Sequence, residues 1–560
     1  MRKLVSGLLA AAVALAATFT AHAESGGARI DIPYTRFTLP NGLTVVVSED
    51  HKAPIVAVSV WYHVGSGYEP EGKTGFAHLF EHLMFQGSEN HKDEYFRPFE
   101  LVGATGMNGT TWLDRTNYFE TVPTSALDMA LWMESDRMGH LLGAIGQPEL
   151  DEQRGVVQNE KRQGENQPYG RAYEDLQANT FPANHPYHHD TIGSMADLNA
   201  ASLDTVKQWF KDYYGAANTT LVMVGDVTPA QAREKAMQYF GDIPAGPRVP
   251  RPQPWVTPRD KSSHGSMTDN VAQTRIYREW NTPGLDSNGN DRLMLDLATD
   301  VLGGSKTSRL YQRLVYKDKL ADSVSVGNMS FELASMTLLQ VDVKKGVDPK
   351  KVEAAIADEW QKFLKDGPTR DELERVKTTY RASTIRGLEQ VGGFSGKAVT
   401  LAEGQVYRDD PGAWKKDFGV VMAATADAVK GAADKWLSKG DYTLTVVPGT
   451  IEAKDAADIA GRAAIPGRPA DKLSPGGDFK VVKSDVDRSK GVPVVNQFPE
   501  LSFPTLQHGK LNNGIKVVLA ERHSIPVVQV EALFDAGYAA DQGRKLGASS
   551  FTMGMLDEGT

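Results

Sequence analysis

The feature that most constrains this chain is that it repeats itself. Residues 36–88 lie over residues 508–560 without a gap, each number in the second copy being the first plus 472. Leu39, Asn41, Gly42, Glu49, His51, Pro54, Gly65, Gly75 and Gly87 recur as Leu511, Asn513, Gly514, Glu521, His523, Pro526, Gly537, Gly547 and Gly559. Similar composition alone does not align turn residues and a proline, so this is an internal repeat. Within it, Asn-Gly between alternating apolar runs predicts a β-hairpin with a two-residue turn at Asn41-Gly42. A helix-like run follows at 75–86, "GFAHLFEHLMFQ". Where the first copy has His78, Glu81 and His82, the second has Ser550, Met553 and Gly554. The scaffold recurs and the polar residues do not, so packing does not require them. The second copy stops at Thr560, soon after its first helix, and a hairpin with one helix cannot bury a core. The sequence therefore reads as a fragment of a longer protein.

Between the copies, helix periodicity appears at 124–142, 146–164 and 201–213, with a strand at 219–227. The proline-rich "IPAGPRVPRPQPWVTPRD" reads as a linker. After it the pattern restarts, with "QTRIYREWNT", a helix at 289–303, "SMTLLQVDV", helices at 349–365 and from 369 to about 391, and "YTLTVVPG". Strands and helices in this order predict an α+β fold of tandem homologous units with antiparallel-rich sheets, not a parallel βαβ array. The expected layout is a leader at 1–23, a first unit at 30–245, a linker at 246–265, a second unit without catalytic residues at 266–450, a linker at 451–500 and the start of a third unit at 501–560.

The N-terminus, "MRKLVSGLLAAAVALAATFTAHAES", has a basic start, an apolar run and a small-x-small ending at Ala21-His22-Ala23. That pattern predicts a signal peptide cleaved after Ala23, since about 15 apolar residues are short for a membrane span. A periplasmic or secreted protein without a stable membrane anchor is expected. The chain has no cysteine, so cores must supply stability and any metal must be held by His, Asp or Glu. The net charge of -10 argues against nucleic acid as a partner.

On a helix, His78 and His82 stand one turn apart on one face, where two imidazoles can reach the same tetrahedral zinc. Glu81, beside the second histidine, can act on a water without being a ligand itself. H-x-x-E-H is the inverzincin order. A third ligand is needed, and "PELDEQRGVVQNEKRQGEN" offers Glu149, Glu152 and Glu160, with Gln153 and Val156, along one side of a helix. Such a charged run can equally be a solvated face.

The pairing of "HLFEH" with "RGVVQNE" resembles the pitrilysin and insulinase family of zinc peptidases, which includes the mitochondrial processing peptidase. The resemblance extends over nearly the whole mature chain and implies a half-chamber of tandem α+β units. It implies one Zn²⁺ per chain held by His78, His82 and Glu160, with Glu81 as catalytic base. It also implies an outer-shell glutamate at the position of Gln153, where Glu152 is the neighbouring alternative; an amide can orient a ligand but cannot serve as a base. The stretch "GATGMNGTTWLDRTNYFETVP" is similar to the family's edge strand, which makes Asn108 and Gly109 substrate-binding residues; read without the family, Asn-Gly is an ordinary hairpin turn. The expected function is endopeptidase cleavage of extended peptides or unfolded polypeptides, with a second half or a partner subunit closing the chamber. The rival readings are a non-catalytic peptide-binding scaffold and a processing subunit active only with another chain.

Two other stretches carry less. "LGGSKTSRLYQRLV" lacks the phosphate-loop spacing, so Arg309 and Tyr311 are expected in structural contacts. His185, His188 and His189, in "ANHPYHHD", read as loop residues, with surface metal binding as a minor alternative.

Overall fold

A computed structural model describes residues 31–285, 289–451, 473–500, 502–523 and 526–556; the expected leader lies outside the described residues. The described residues up to Glu521 form one unit and those from Arg522 a second.

Six strands build the first sheet: β1 (Thr35–Thr38), β2 (Thr44–Glu49), β3 (Ile55–Tyr62), β4 (Thr105–Thr111), β5 (Thr116–Pro123) and β6 (Thr219–Gly225). Their order is β1-β2-β6-β3-β5-β4, antiparallel throughout except for β2 beside β6. Strands β3 and β6 are buried on both faces, which is why "IVAVSVWY" and "TTLVMVG" are nearly continuous apolar runs. The helices that follow are α1 (Phe76–Leu83), α2 (Leu127–Gly139), α3 (Gln147–Glu165), α4 (Ala172–Thr180), α5 (Leu203–Tyr213) and α6 (Pro229–Phe240). One sheet face packs Val58, Val60 and Tyr62 against Phe80, Trp132, Trp209 and Phe240 of these helices.

The second sheet repeats the plan with β7 (Ser263–Asp269), β8 (Arg275–Pro283), β9 (Ala321–Ser330), β10 (Ala334–Val343) and β11 (Tyr442–Pro448), in the order β7-β11-β8-β10-β9. Again a single pair, β7 with β11, is parallel. Its helices are α7 (Asp291–Gly303), α8 (Pro349–Asp366), α9 (Arg370–Gly387), α10 (Lys397–Arg408), α11 (Ala413–Ala423) and α12 (Ala426–Leu437). In this core Trp280 of β8 stacks on Trp360 of α8, with centroids 4.6 Å apart. The fold is α+β, as the periodicity predicts.

Each sheet borrows a helix from the other. Leu401, Ala402 and Val406 of α10 cover Val46, Trp61 and Val224 on the far face of the first sheet. Ala172 and Leu176 of α4 cover Tyr277, Leu444 and Val446 on the far face of the second. Burying a Leu or Val side chain stabilises by about 1.5–3 kcal/mol, so this exchange fixes the two sheets to one another. A buried pair, His63 Nε2 to Glu332 Oε2 at 2.7 Å, adds a polar tie between them.

Two expectations change. The turn after β1 is wider than two residues: Thr38 still pairs with Thr44, and Leu39 N donates to Leu43 O at 2.9 Å. The reason is local: Gly42 N donates to Leu39 O at 2.9 Å and Asn41 Oδ1 accepts from Leu43 N at 3.3 Å, while the buried Asn41 Nδ2 ties the turn to Phe240 O at 2.7 Å and Ile243 O at 2.9 Å beyond the end of α6. The described part of the second linker, 473–500, is a strap rather than a free spacer. Its Arg488 is buried and donates to Asp136 Oδ1 at 3.1 Å, Ser135 Oγ at 3.0 Å and Tyr239 O at 3.2 Å. Val486, Val492 and Val495 pack on the first core beside it.

Toward the end of the chain come the hairpin β12 (Leu506–Lys510) with β13 (Lys516–Ala520), and, in the second unit, α13 (Ala548–Met555).

Candidate metal centre

Helix α1 starts at Gly75, whose φ of +89° places it in the left-handed region that glycine tolerates. Phe76, Leu79, Phe80 and Leu83 turn into the core. His78 and His82, at i and i+4, are left half-buried on the other side, facing α3.

There the two Nε2 atoms converge to 3.3 Å. Glu160 Oε2 of α3 lies 3.7 Å from His78 Nε2 and 3.5 Å from His82 Nε2. Zinc with ligands at about 2.0–2.1 Å in a tetrahedron has donor atoms about 3.4 Å apart, so the three observed edges already match one zinc face. Burial, helped by the neighbouring His82, pushes the His78 imidazole down to about 4, so it is neutral at pH 7 and has one ring nitrogen with a lone pair to offer a metal. His82 Nδ1 faces Gln153 Oε1 at 3.3 Å; donation in that direction fixes the tautomer and leaves Nε2 as the ligating atom. Two imidazoles and a carboxylate converging in this way are a donor set suited to catalytic zinc.

Glu81 stands beside this triangle. Burial pushes its carboxyl up to about 7, against a hydrogen bond from Thr111 and the charge of Arg115, while Glu160 pushes it further up. Its Oε2 has no hydrogen-bond partner among the described residues.

The insulinase family, peptidase family M16, matches residues 44–192, and the peptidase M16 inactive domain matches residues 200–380. The zinc protease PqqE of Helicobacter pylori is 30% identical over 365 residues, covering 64% of this chain and 81% of that protein. The chain belongs to the insulinase family. A protease from Helicobacter pylori of known crystal structure is similar with a TM-score of 0.68 and 25% identity, covering 74% of this chain and 100% of that one. The first half of the periplasmic protease PqqL from Escherichia coli shares the fold, with a TM-score of 0.62 at 16% identity over 79% of this chain and 98% of that one.

In this insulinase-family chain Asn108 and Gly109 are not a turn. They lie within β4, the free edge of the first sheet, and the turn comes later, where Trp112 N donates to Arg115 O. Asn108 Oδ1 accepts from Gly109 N at 2.9 Å. A Cβ on Gly109 would fall 2.8 Å from the Phe85 ring and 2.9 Å from Tyr118, so glycine lets the strand lie against both. Thr111 ends the same strand at Glu81, so the edge leads directly to the cluster.

Of the two outer-shell candidates, Gln153 is buried against His82 and Glu152 is exposed. Thr111 was not singled out by the sequence, because no spacing rule links a strand end to a helix carboxylate. His185, His188 and His189 are loop residues, as expected, but none is fully exposed. His185 is 1% exposed and spends Nε2 on Trp255 O and Nδ1 on Tyr187 N. His188 Nδ1 donates to Phe181 O. Arg309 forks onto Glu372 with two 2.7 Å bonds and Tyr311 packs on the second core, both structural contacts.

Proposed function

We propose that this chain is a zinc endopeptidase in which His78, His82 and Glu160 hold one Zn²⁺ and Glu81 is the general base. The observation that carries this is the triangle of ligand atoms, with edges of 3.3, 3.5 and 3.7 Å. Zinc held there would polarise a carbonyl and lower the pKa of water toward about 7. Glu81, with Oε2 unclaimed among the described residues, takes a proton from the attacking water and returns it to the leaving amine. Thr111 holds the carboxylate in place while this occurs. Gln153 keeps His82 in the ligating tautomer, a task an amide can perform as well as a carboxylate; exposed Glu152 has no part in it.

Substrate lies extended along the free edge of β4 at Asn108 and Gly109, bound mainly through its backbone. Unfolded polypeptides and short peptides fit this mode better than folded proteins. A second half-chamber, from the same chain or a partner, closes over the strand, in keeping with the repeat that begins again near residue 508. The leader-like N-terminus supports a periplasmic or secreted location. Among the described residues no helix is long and apolar enough to cross a membrane.

The test is zinc quantification with a fluorogenic peptide assay on the wild type and on Glu81→Gln. The variant should keep its zinc and lose cleavage by roughly 100-fold or more. Unchanged cleavage would remove Glu81 from the mechanism.

A further inference from the structure

Helices α1 and α3 must be held in a fixed relation for Glu160 to meet the two histidines, yet α3 has little apolar surface with which to set its rotation. Its buried residues are Leu150, Gln153, Val157 and Lys161, a single inward line one residue wide. Two of the four are polar, and Gln153 already faces His82. The other, Lys161, directly follows the proposed ligand Glu160. Its side chain is 4% exposed, with Nζ 3.0 Å from Glu165, 3.3 Å from Glu174 of α4 and 4.0 Å from Asp190.

The Asp190 loop also reaches the start of α1. Asp190 Oδ1 accepts from Gly193 N at 2.8 Å, and a Cβ on Gly193 would fall 2.2 Å from Gly75 N. His189 donates from Nδ1 to Asp190 O at 2.9 Å and lies 3.7 Å from Glu69. Glu69, whose side chain is wholly buried, accepts from Gly75 N at 2.9 Å and Ala77 N at 2.7 Å at the N-terminus of α1. Polar groups thus succeed one another from the first turn of α1 through Glu69, His189 and Asp190 to Lys161 on α3, with longer gaps of 3.7 Å between Glu69 and His189 and 4.0 Å between Asp190 and Lys161. None of these groups is in the ligand triangle.

We propose that Lys161 is a positioning residue: pinned by Glu174 and Asp190, it fixes the rotation of α3 that aims Glu160 at His78 and His82. This rests on the metal assignment above. Glu165 turns with α3, but Glu174 lies on α4, so turning α3 about its axis would cost the buried ammonium the close carboxylate that lies off its own helix. A lysine that merely supported the fold would change unfolding without changing zinc affinity in the folded protein.

The experiment measures zinc affinity by chelator competition, and thermal unfolding in EDTA, for the full chain and its Lys161→Met, Lys161→Arg and Glu174→Gln variants. Lys161→Met should bind zinc about 10- to 100-fold more weakly while still folding, as for other outer-shell losses. Lys161→Arg should recover most of that affinity, because a cation is restored. If Lys161→Met does not fold, Glu174→Gln, which keeps the shape and removes one anchor, carries the test and should also weaken zinc. Wild-type affinity in a folded Lys161→Met, or in Glu174→Gln where the former does not fold, overturns the proposal. A wild-type protein that binds no zinc overturns the metal assignment itself, and Glu160→Gln binding as tightly as wild type shows that the wrong carboxylate was chosen.

Discussion

The two copies of the repeat share their local geometry and differ in nearly everything that surrounds it. In the first, Gly42 has a φ of +93°, its N–H donates to Leu39 O, and Asn41 Oδ1 accepts from Leu43 N at 3.3 Å. In the second, Gly514 has a φ of +94°, its N–H donates to Leu511 O, and Asn513 Oδ1 accepts from Ile515 N at 3.2 Å. The helix starts agree as well. Gly75 and Gly547 have φ values of +89° and +86°, and Glu69 and Asp541 each accept from the amide of that glycine and of the residue two further on. Yet most of α1 is buried, whereas no residue of α13 is, and β12 and β13 are exposed throughout. Turn and cap chemistry is thus encoded within a few residues and does not depend on packing. The His78, Glu81, His82 set is a separate layer laid on that scaffold in one copy.

The largest test of this separation writes the second copy into the first: His78→Ser, Glu81→Met and His82→Gly together. Zinc affinity should fall on the order of 1,000-fold or more, because two of three ligands are removed. Metal-free unfolding should shift only modestly, since glycine in a helix costs about 1 kcal/mol. Zinc titration and thermal unfolding in EDTA read the two halves of the claim. A variant that cannot fold would show that packing requires these residues after all.

A smaller effect should separate the two helix starts. Alanine at either glycine faces the left-handed backbone penalty of about 1–2 kcal/mol. At Gly75 the new Cβ would also fall 2.5 Å from Ile192 O, whereas at Gly547 nothing lies within 4 Å. Gly75→Ala should therefore destabilise by about 3 kcal/mol, read by chemical unfolding. Gly547→Ala should cost only the backbone part, read locally by amide exchange in α13. Equal costs would mean that the surroundings of the first copy add nothing to its cap.

How much of this was legible in the sequence follows the same division. The hairpins, the helix starts and the one-turn spacing of His78 and His82 are local patterns, and they were readable. The third ligand was not: Glu149, Glu152 and Glu160 share one polar helix, and only the family resemblance chose among them. Periodicity fails on α3 because just four of its residues are buried and two of those are polar, so the run looks solvated. The strap at 473–500 was hidden for a related reason: its proline- and glycine-rich composition reads as spacer, while its anchor is a single arginine whose partners, Ser135, Asp136 and Tyr239, lie some 250 to 350 residues away. The free edge at β4 was also beyond local reading, since whether Asn108-Gly109 is a turn or a strand depends on β5 pairing beside it.

The smallest expected effect is one of sign. Burial lifts the Glu69 carboxyl well above its usual 4.5, although the Ala77 and Gly75 amides pull it back and Asp190 and Asp197 push it up. The folded chain therefore keeps that proton where the unfolded chain has released it. The associated stability is full below about 4.5 and is withdrawn as the pH rises through the folded value. Asp541 makes the same bonds at the start of a helix with no buried residue. The Ser549 amide, followed by its hydroxyl and the Gly547 and Ala548 amides, outweighs a slight burial and holds it below its usual 3.8. Its contribution is present above 3.8 and lost as the pH falls through the folded value. Protection of Gly547 and Ser549 from amide exchange should therefore weaken on acidification, while protection of Gly75 and Ala77 should weaken on going alkaline. Glu69→Gln should flatten the second profile and Asp541→Asn the first. If both helix starts lose protection in the same direction of pH, burial does not distinguish the two caps, and the contrast between the copies would rest on the metal residues alone.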